Sequence, residues 1–370
     1  MRWLGNLGLM VVTTGVVLAT AEAVLVFVVP PPIVWRYPQE SYEYDEIRWH
    51  RPKAHLRAFT HSAPVWTNSR GLRNEEVSDR PRPGVLRILC MGDSLTFGNG
   101  VHSSETYPKQ LEAMLNRAGG TRYEVINAGV PAYDTWQEVA YLREEGIRLA
   151  PDLVVVGFYG NDIVPRPEQV PSKSTAVSEE GVARRMMYWL KRSRVVMWVY
   201  ERGRRLKNQV RPSSGVSHER ALLTGTPNSF NEAGFREIER SFGELAELAR
   251  EHRFELLVVL FPLPNQLIRT YPDSMYPRRV VEIASRYGIP TLDLMPAFEQ
   301  EFRGLGSLFI EWDGHPNPRG YAIAAREIRD HMLRTANSGP LGRRQRGNTE
   351  ASGKPGVPGR RLGTPVRSAT

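Results

Sequence analysis

The sequence predicts a three-layer α/β domain built on a parallel sheet, and three observations lead there. Along residues 85–337, short apolar runs bounded by turn residues alternate with stretches of helical period. Strands separated by helices pair in parallel through right-handed crossovers, which places helices on both faces of the sheet. At 370 residues, 41% hydrophobic and 9% aromatic, the chain can bury a full core and still carry appendages.

Each element follows in order. "VLRILC" at 85–90 reads as a core strand, followed by the helical "ETYPKQLEAMLNRA". "YEVINAG" and then "TWQEVAYLREEGIRL" repeat the pattern, and "DLVVVGFYGND" gives a third apolar strand. Beyond an interruption, "FREIERSFGELAELAREH" precedes the strand "FELLVVLFP", "VVEIASRYG" precedes "IPTLDL", and "PRGYAIAAREIRDHML" closes the domain. Asn317 and Pro318 read as an N-cap and first-turn proline for that last helix. The lone cysteine, Cys90, lies inside the first strand as a core thiol and rules out an intrachain disulfide.

The remaining segments are of other kinds. Residues 7–29 form an apolar run long enough to cross a bilayer, interrupted only by Glu22. Arg2 precedes it and Glu40, Glu43, Asp45 and Glu46 follow, so residues 1–6 are expected in the cytoplasm and the bulk of the chain outside. The small residues Ala19, Thr20 and Ala21 also suit a cleaved secretory signal, but the apolar run continues past them and favours an uncleaved signal-anchor. Glu22 is read either as a contact to a partner helix or as a protonated or snorkelling group.

Residues 30–84 are expected to form an arm or small β-rich subdomain, with "WTNSRGLRN" at 66–74 as a strand and turn and with His50, His55 and His61 as surface histidines. The insert at 163–228 breaks the strand–helix rhythm. Its basic, amphipathic middle suits a helix on an anionic membrane, a lid over the site, or a packed helix with a solvated arginine face. Residues 338–370 read as a disordered basic tail. Residues 181–211 hold ten Lys/Arg against one Glu, and the tail holds seven against one. The formal net charge of +9 therefore sits in one insert and one tail, over a mildly acidic body, which argues against a specific nucleic-acid partner.

In an open parallel sheet, ligands bind beyond the carboxyl ends of the strands, where strand order reverses. That rule selects Asp93 and Ser94 after the first strand, Asn127 and Gly129 after the second, Asn161 and Asp162 after the third, and the "EWDGHPNPRG" loop before the last helix. A serine hydroxyl becomes a nucleophile only when a base takes its proton, and His315 suits that task at neutral pH. Asp313 is placed to fix the imidazole tautomer, with Glu311 as a minor alternative. The Ser94 N–H, the Gly129 N–H and the Asn161 amide are the candidate oxyanion donors. Asp93 and Asp162 are read as loop-bracing acceptors. The "GxSxG" elbow of α/β-hydrolases is absent, because Thr96 occupies its second glycine position.

At these residues the chain resembles the SGNH hydrolases, also called GDSL esterases and lipases. "GDSL" at 92–95, "NAGVPAY" at 127–133, "GND" at 160–162 and "DGHPNPRG" at 313–320 stand as that family's four blocks, in order, and the resemblance covers residues 85–334. Two departures occur. The acid is spaced D-x-H, with Trp312 at the commoner acid position, and Tyr159 stands where the third block often begins with glycine. The resemblance implies a flavodoxin-like sheet of order 2-1-3-4-5, no metal or organic cofactor, and ester hydrolysis through an acyl-enzyme. The expected function is a single-pass, membrane-anchored, extracytoplasmic esterase acting on an O-acyl ester, a cell-surface polysaccharide acetate first. A lipid ester, or acyl transfer to a sugar hydroxyl, is the alternative at the same site. A non-catalytic envelope module that binds glycan or a protein partner is the rival from another class.

Overall fold

The computed structural model describes residues 2–28, 41–61, 63–117, 120–167, 182–190, 192–210, 214–310 and 313–335. The tail at 338–370 therefore lies outside the described residues, as do Glu311 and Trp312.

Two short antiparallel hairpins come first: β1 (Tyr42–Asp45) with β2 (Trp49–Pro52), and β3 (Arg57–Thr60) with β4 (Ala63–Trp66). The central sheet follows, made of β5 (Val85–Gly92), β6 (Arg122–Asn127), β7 (Leu153–Phe158), β8 (Glu255–Leu260) and β9 (Thr291–Asp293). All its pairings are parallel and its order is β6-β5-β7-β8-β9, which counted from β5 is the 2-1-3-4-5 flavodoxin-like arrangement. Both faces are covered. Leu89 and Met91 of β5 enter one apolar cluster with Val154 and Val156 of β7, while Ile88 and Cys90 enter the other with Leu153 and Val155. Two-sided burial explains why these strands read as unbroken apolar runs and not as alternating ones.

Helices Thr135–Glu144, Ser229–His252 and Arg278–Arg286 pack on the first face, and helices Tyr107–Arg117 and Pro318–Thr335 on the second. Asn317 caps the last helix, its Oδ1 accepting the N–H groups of Arg319 at 2.9 Å and Gly320 at 3.1 Å. The chain leaves β5 toward β6 on one side and returns to β7 on the other. The crevice above β5 and β7 is thus the switch point where such sheets place ligands.

Within its described residues, from 41 on, the arm is docked on the domain. The Tyr133 hydroxyl donates to the His50 carbonyl at 2.7 Å, the Gln137 amide to the Arg48 carbonyl at 2.6 Å, and Trp49 meets Trp136 edge-on with ring centres 4.9 Å apart. In "WTNSRGLRN" only Trp66 is strand and the rest is turn. This corrects the expected strand by a few residues, because β4 draws on the preceding "APV".

Helix Arg2–Val28 contains a span, Gly5–Phe27, long and apolar enough to cross a membrane, as a signal-anchor or a signal peptide would be. Within the insert, helix Arg194–Val210 packs against it. Glu22 accepts the Arg194 N–H at 2.8 Å, the Val195 N–H at 3.2 Å and the Ser193 hydroxyl at 2.7 Å. Of the two readings of Glu22, the helix contact is the one observed, and the helix belongs to the same chain. A carboxylate at a helix N-terminus satisfies donors that have no partner within the helix.

Candidate active site

Ser94 opens a four-residue helix, Ser94–Phe97, directly after β5. The turn into it is tight: at Gly92, where φ is +152°, a Cβ would stand 2.1 Å from Thr96 Oγ1 and 2.9 Å from the Gly157 carbonyl oxygen. Asp93 caps the helix by accepting the Leu95 N–H at 2.8 Å. The other end of the turn is held from the arm. Arg73, 1% exposed, donates to the carbonyls of Phe97, Gly98 and Val101 at 2.8, 2.7 and 2.7 Å.

The "DGH" loop closes over this turn. The Ile310 N–H donates to the His315 carbonyl at 2.7 Å, and Gly314 adopts φ +90°. His315 thereby presents Nε2 at 2.8 Å from Ser94 Oγ, while its Nδ1 faces Asp313 Oδ1 in a hydrogen bond. Ser94 and His315 are 221 residues apart in sequence.

The electrostatics suit a general base. Burial opposes the charge on Asp313, but hydrogen bonds and charge from His315 and His61 outweigh it and hold the carboxyl well below the usual carboxylate range. Burial likewise disfavours the His315 imidazolium, yet the hydrogen bond and charge of Asp313, with the charge of Asp93, raise its pKa above the ordinary value. Asp93, fully buried, is pushed up by burial despite the donors around it.

The expected oxyanion donors gather at the same edge. The Ser94 N–H sits in the first helical turn, where amides have no partner within the helix. Asn161 is exposed, and its amide donates to Asp93 Oδ2 at 2.9 Å, which leaves its second N–H to other acceptors. The Gly129 N–H donates to Asn127 Oδ1 at 3.1 Å. Gly129 also presses on the helix that opens at Ser94: a Cβ there would stand 2.2 Å from Phe97 N and 2.6 Å from Thr96 C. Asp162 accepts the Tyr159 N–H at 2.7 Å, and so braces its loop as Asp93 does.

Two arm residues belong to this neighbourhood although the sequence did not mark them. Arg73 is one. His61 is the other; expected at the surface, it is 7% exposed and lies with Nε2 3.0 Å from Asp313 Oδ2. His50 is half-buried and bonded to the Pro131 carbonyl at 2.9 Å, whereas His55 is exposed as expected. An Arg or His in an aperiodic stretch gives no sequence signal until the tertiary contact is seen. His61, Asp313 and His315 bring ligand atoms within 4.8 Å of one another, a spacing that a metal ion could bridge. The Asp313 and His315 atoms involved are those already engaged with each other and with Ser94.

Residues 90–323 match the GDSL-like Lipase/Acylhydrolase family. Among curated proteins none matches the chain. Solved structures similar to it include TesA, with 15% identity over 66% of this chain and 97% of that one at a TM-score of 0.41. A member of the lipolytic protein G-D-S-L family from Veillonella parvula gives 13% identity over 67% and 99% at 0.40. A two-domain esterase active on acetylated mannans gives 14% identity over 69% and 51% at 0.41.

Proposed function

Because the chain belongs to the GDSL-like lipase/acylhydrolase family, and is thus an ester-bond hydrolase, we propose that it cleaves an O-acyl ester through a Ser94–His315–Asp313 relay. The observation that carries this reading is the 2.8 Å contact of Ser94 Oγ with His315 Nε2, with Asp313 on the opposite ring nitrogen. His315 takes the hydroxyl proton as Ser94 Oγ attacks the acyl carbon, then returns it to the departing alcohol, leaving an acyl ester on Ser94. Water, deprotonated by the same imidazole, attacks that ester and releases the acid. The Ser94 N–H and the Asn161 amide receive the oxyanion, and the Gly129 N–H joins them by exchanging its Asn127 acceptor for the substrate oxygen.

The first substrate choice is an acetyl ester on an envelope polysaccharide. It is supported by the apolar N-terminal helix, read as an uncleaved anchor that keeps the 85–337 domain outside the cell and near the envelope. A specific observation also favours a lipid ester: Val199 and Leu206 are exposed on helix Arg194–Val210, which packs against the N-terminal helix, and Met186 and Trp189 are exposed on the insert helix before it, Val182–Leu190. Reaction of the full-length protein with a fluorophosphonate probe, followed by peptide mass analysis, tests the mechanism. Labelling at Ser94 that vanishes in Ser94→Ala and His315→Ala is expected; a folded protein that takes no label sinks the enzyme mechanism and revives the binding-module reading. Release of acetate from acetylated polysaccharide, against release of fatty acid from vesicles, separates the two substrates.

A further inference from the structure

We propose that His61 is a positioning residue, holding the Asp313 carboxylate from the side opposite His315. The inference rests on the Ser94–His315–Asp313 reading and extends the site to a segment that lies outside the family match, since 61 precedes residue 90.

A carboxylate that orients an imidazole must hold its plane. Asp313 precedes Gly314, which adopts φ +90°, in a turn where the Asp313 and Gly314 N–H groups both donate to the Ile310 carbonyl at 3.2 Å. One oxygen, Oδ1, faces His315 Nδ1 and also accepts the His315 N–H at 3.2 Å. The other, Oδ2, faces His61 Nε2 at 3.0 Å, with the two side chains 5% and 11% exposed. The His61 ring, packed against Oδ2, restricts rotation of the carboxylate and favours the orientation that points Oδ1 at His315, in a place nearly closed to solvent.

His61 is itself fixed. It occupies the turn between β3 and β4 with φ +52°, and the residue before it ties that turn to the nucleophile's loop. The Thr60 hydroxyl donates to Asn99 Oδ1 at 3.0 Å and accepts the Gly100 N–H at 3.2 Å. Gly100, at φ +82°, has no room for a side chain: a Cβ would stand 2.3 Å from Ile310 Cδ1 and 2.7 Å from His61 Cδ2. The His61 ring is thus wedged between the loop that follows Ser94 and the loop that carries His315, with the two imidazole centres 6.3 Å apart. An element that joins both loops can set the register of base against nucleophile.

The test is a double-mutant cycle in the full-length protein with p-nitrophenyl acetate as the probe ester. His61→Leu should lower kcat by about 10–100-fold with KM unchanged, the range seen when a group that orients a reactive side chain is lost. His61→Gln, whose amide places a donor near the same point, should recover most of that loss. In the Asp313→Asn background, His61→Leu should change kcat less than twofold, because the group it acts through is gone. Wild-type kcat in His61→Leu overturns the proposal. So does a loss of equal size in both backgrounds, or a loss that tracks a lowered melting temperature and is not recovered by Gln. Activation by added Zn2+ that needs His61 would replace positioning with a metal site. The unsubstituted protein serves as the separate control: if it takes no fluorophosphonate label at Ser94, the underlying reading fails first, independently of His61.

Discussion

Replacing Arg73 by methionine removes the clamp on the turn that carries Ser94, and its size can be worked from the contacts. Three carbonyls, of Phe97, Gly98 and Val101, each accept from this guanidinium at 2.8 Å or less. A buried acceptor left without a donor costs about 1–3 kcal/mol, which gives a gross loss of roughly 3–9 kcal/mol. Part is offset, because methionine carries no charge into the interior; burial pulls the guanidinium pKa down to about 10, which records that penalty. Methionine also keeps some of the packing on the Phe97 ring, over which the Arg73 Cζ lies 5.0 Å from the centroid. The net loss expected is about 3–5 kcal/mol, the range for unpairing a buried charged network. At about 2–4 °C per kcal/mol for a domain of this size, the melting point should fall by roughly 6–20 °C. Thermal unfolding of full-length protein in detergent measures it, with Arg73→Lys expected between the two because one ammonium cannot span three carbonyls. A melting point for Arg73→Met within 2 °C of the wild type, with an unchanged rate of Ser94 labelling, would refute the reasoning.

Two further predictions concern the site itself. Because Asp313 and Asp93 together raise the His315 pKa against the opposing effect of burial, and the base must be neutral to act, activity is lost as pH falls through that raised value. The acid limb of kcat/KM should lie above the ordinary histidine value of about 6.5. Asp313→Asn should move it to lower pH while reducing kcat by about 10³–10⁴-fold, and a limb that stays put in Asp313→Asn would assign the titration to another group. Gly129→Ala places a Cβ 2.2 Å from Phe97 N, so either the second block or the serine's helix must move. A shift of about 1 Å implies a loss of about 100-fold in kcat/KM with about 1–3 kcal/mol of stability, and wild-type kinetics would show that the contact relaxes harmlessly.

Most of the sheet and the four loops at its edge were legible in the sequence for a physical reason. A strand buried on both faces must be apolar throughout, and the loop leaving it must break that run, so "LRILCMGDS" and "LVVVGFYGND" mark their own ends. Asn317 and Pro318 signal a helix start by local chemistry alone. What stayed hidden depends on distant partners. His61 and Arg73 sit in aperiodic turns and act on residues 97–101 and 313, contacts that no spacing rule encodes. Glu22 was legible as an anomaly in an apolar run, open to a helix contact or to a protonated or snorkelling group, but that a helix of the same chain would supply N–H groups to it was not.

The 221-residue separation between Ser94 and His315 also sets an order of events. On a ribosome the strand, the turn and the serine are made early, whereas the imidazole arrives only with the loop before the final helix. A chain interrupted between residues 260 and 315 already contains β5, β6, β7 and β8 yet carries an unassisted alcohol. Closing so long a loop requires most of the intervening sheet to be in place, since its entropy must be repaid by contacts formed along the way. On the proposed relay, reactivity at Ser94 is therefore a late property of the folded chain, and a reagent that senses it would report near-completion of the whole domain and not of the strand that bears it.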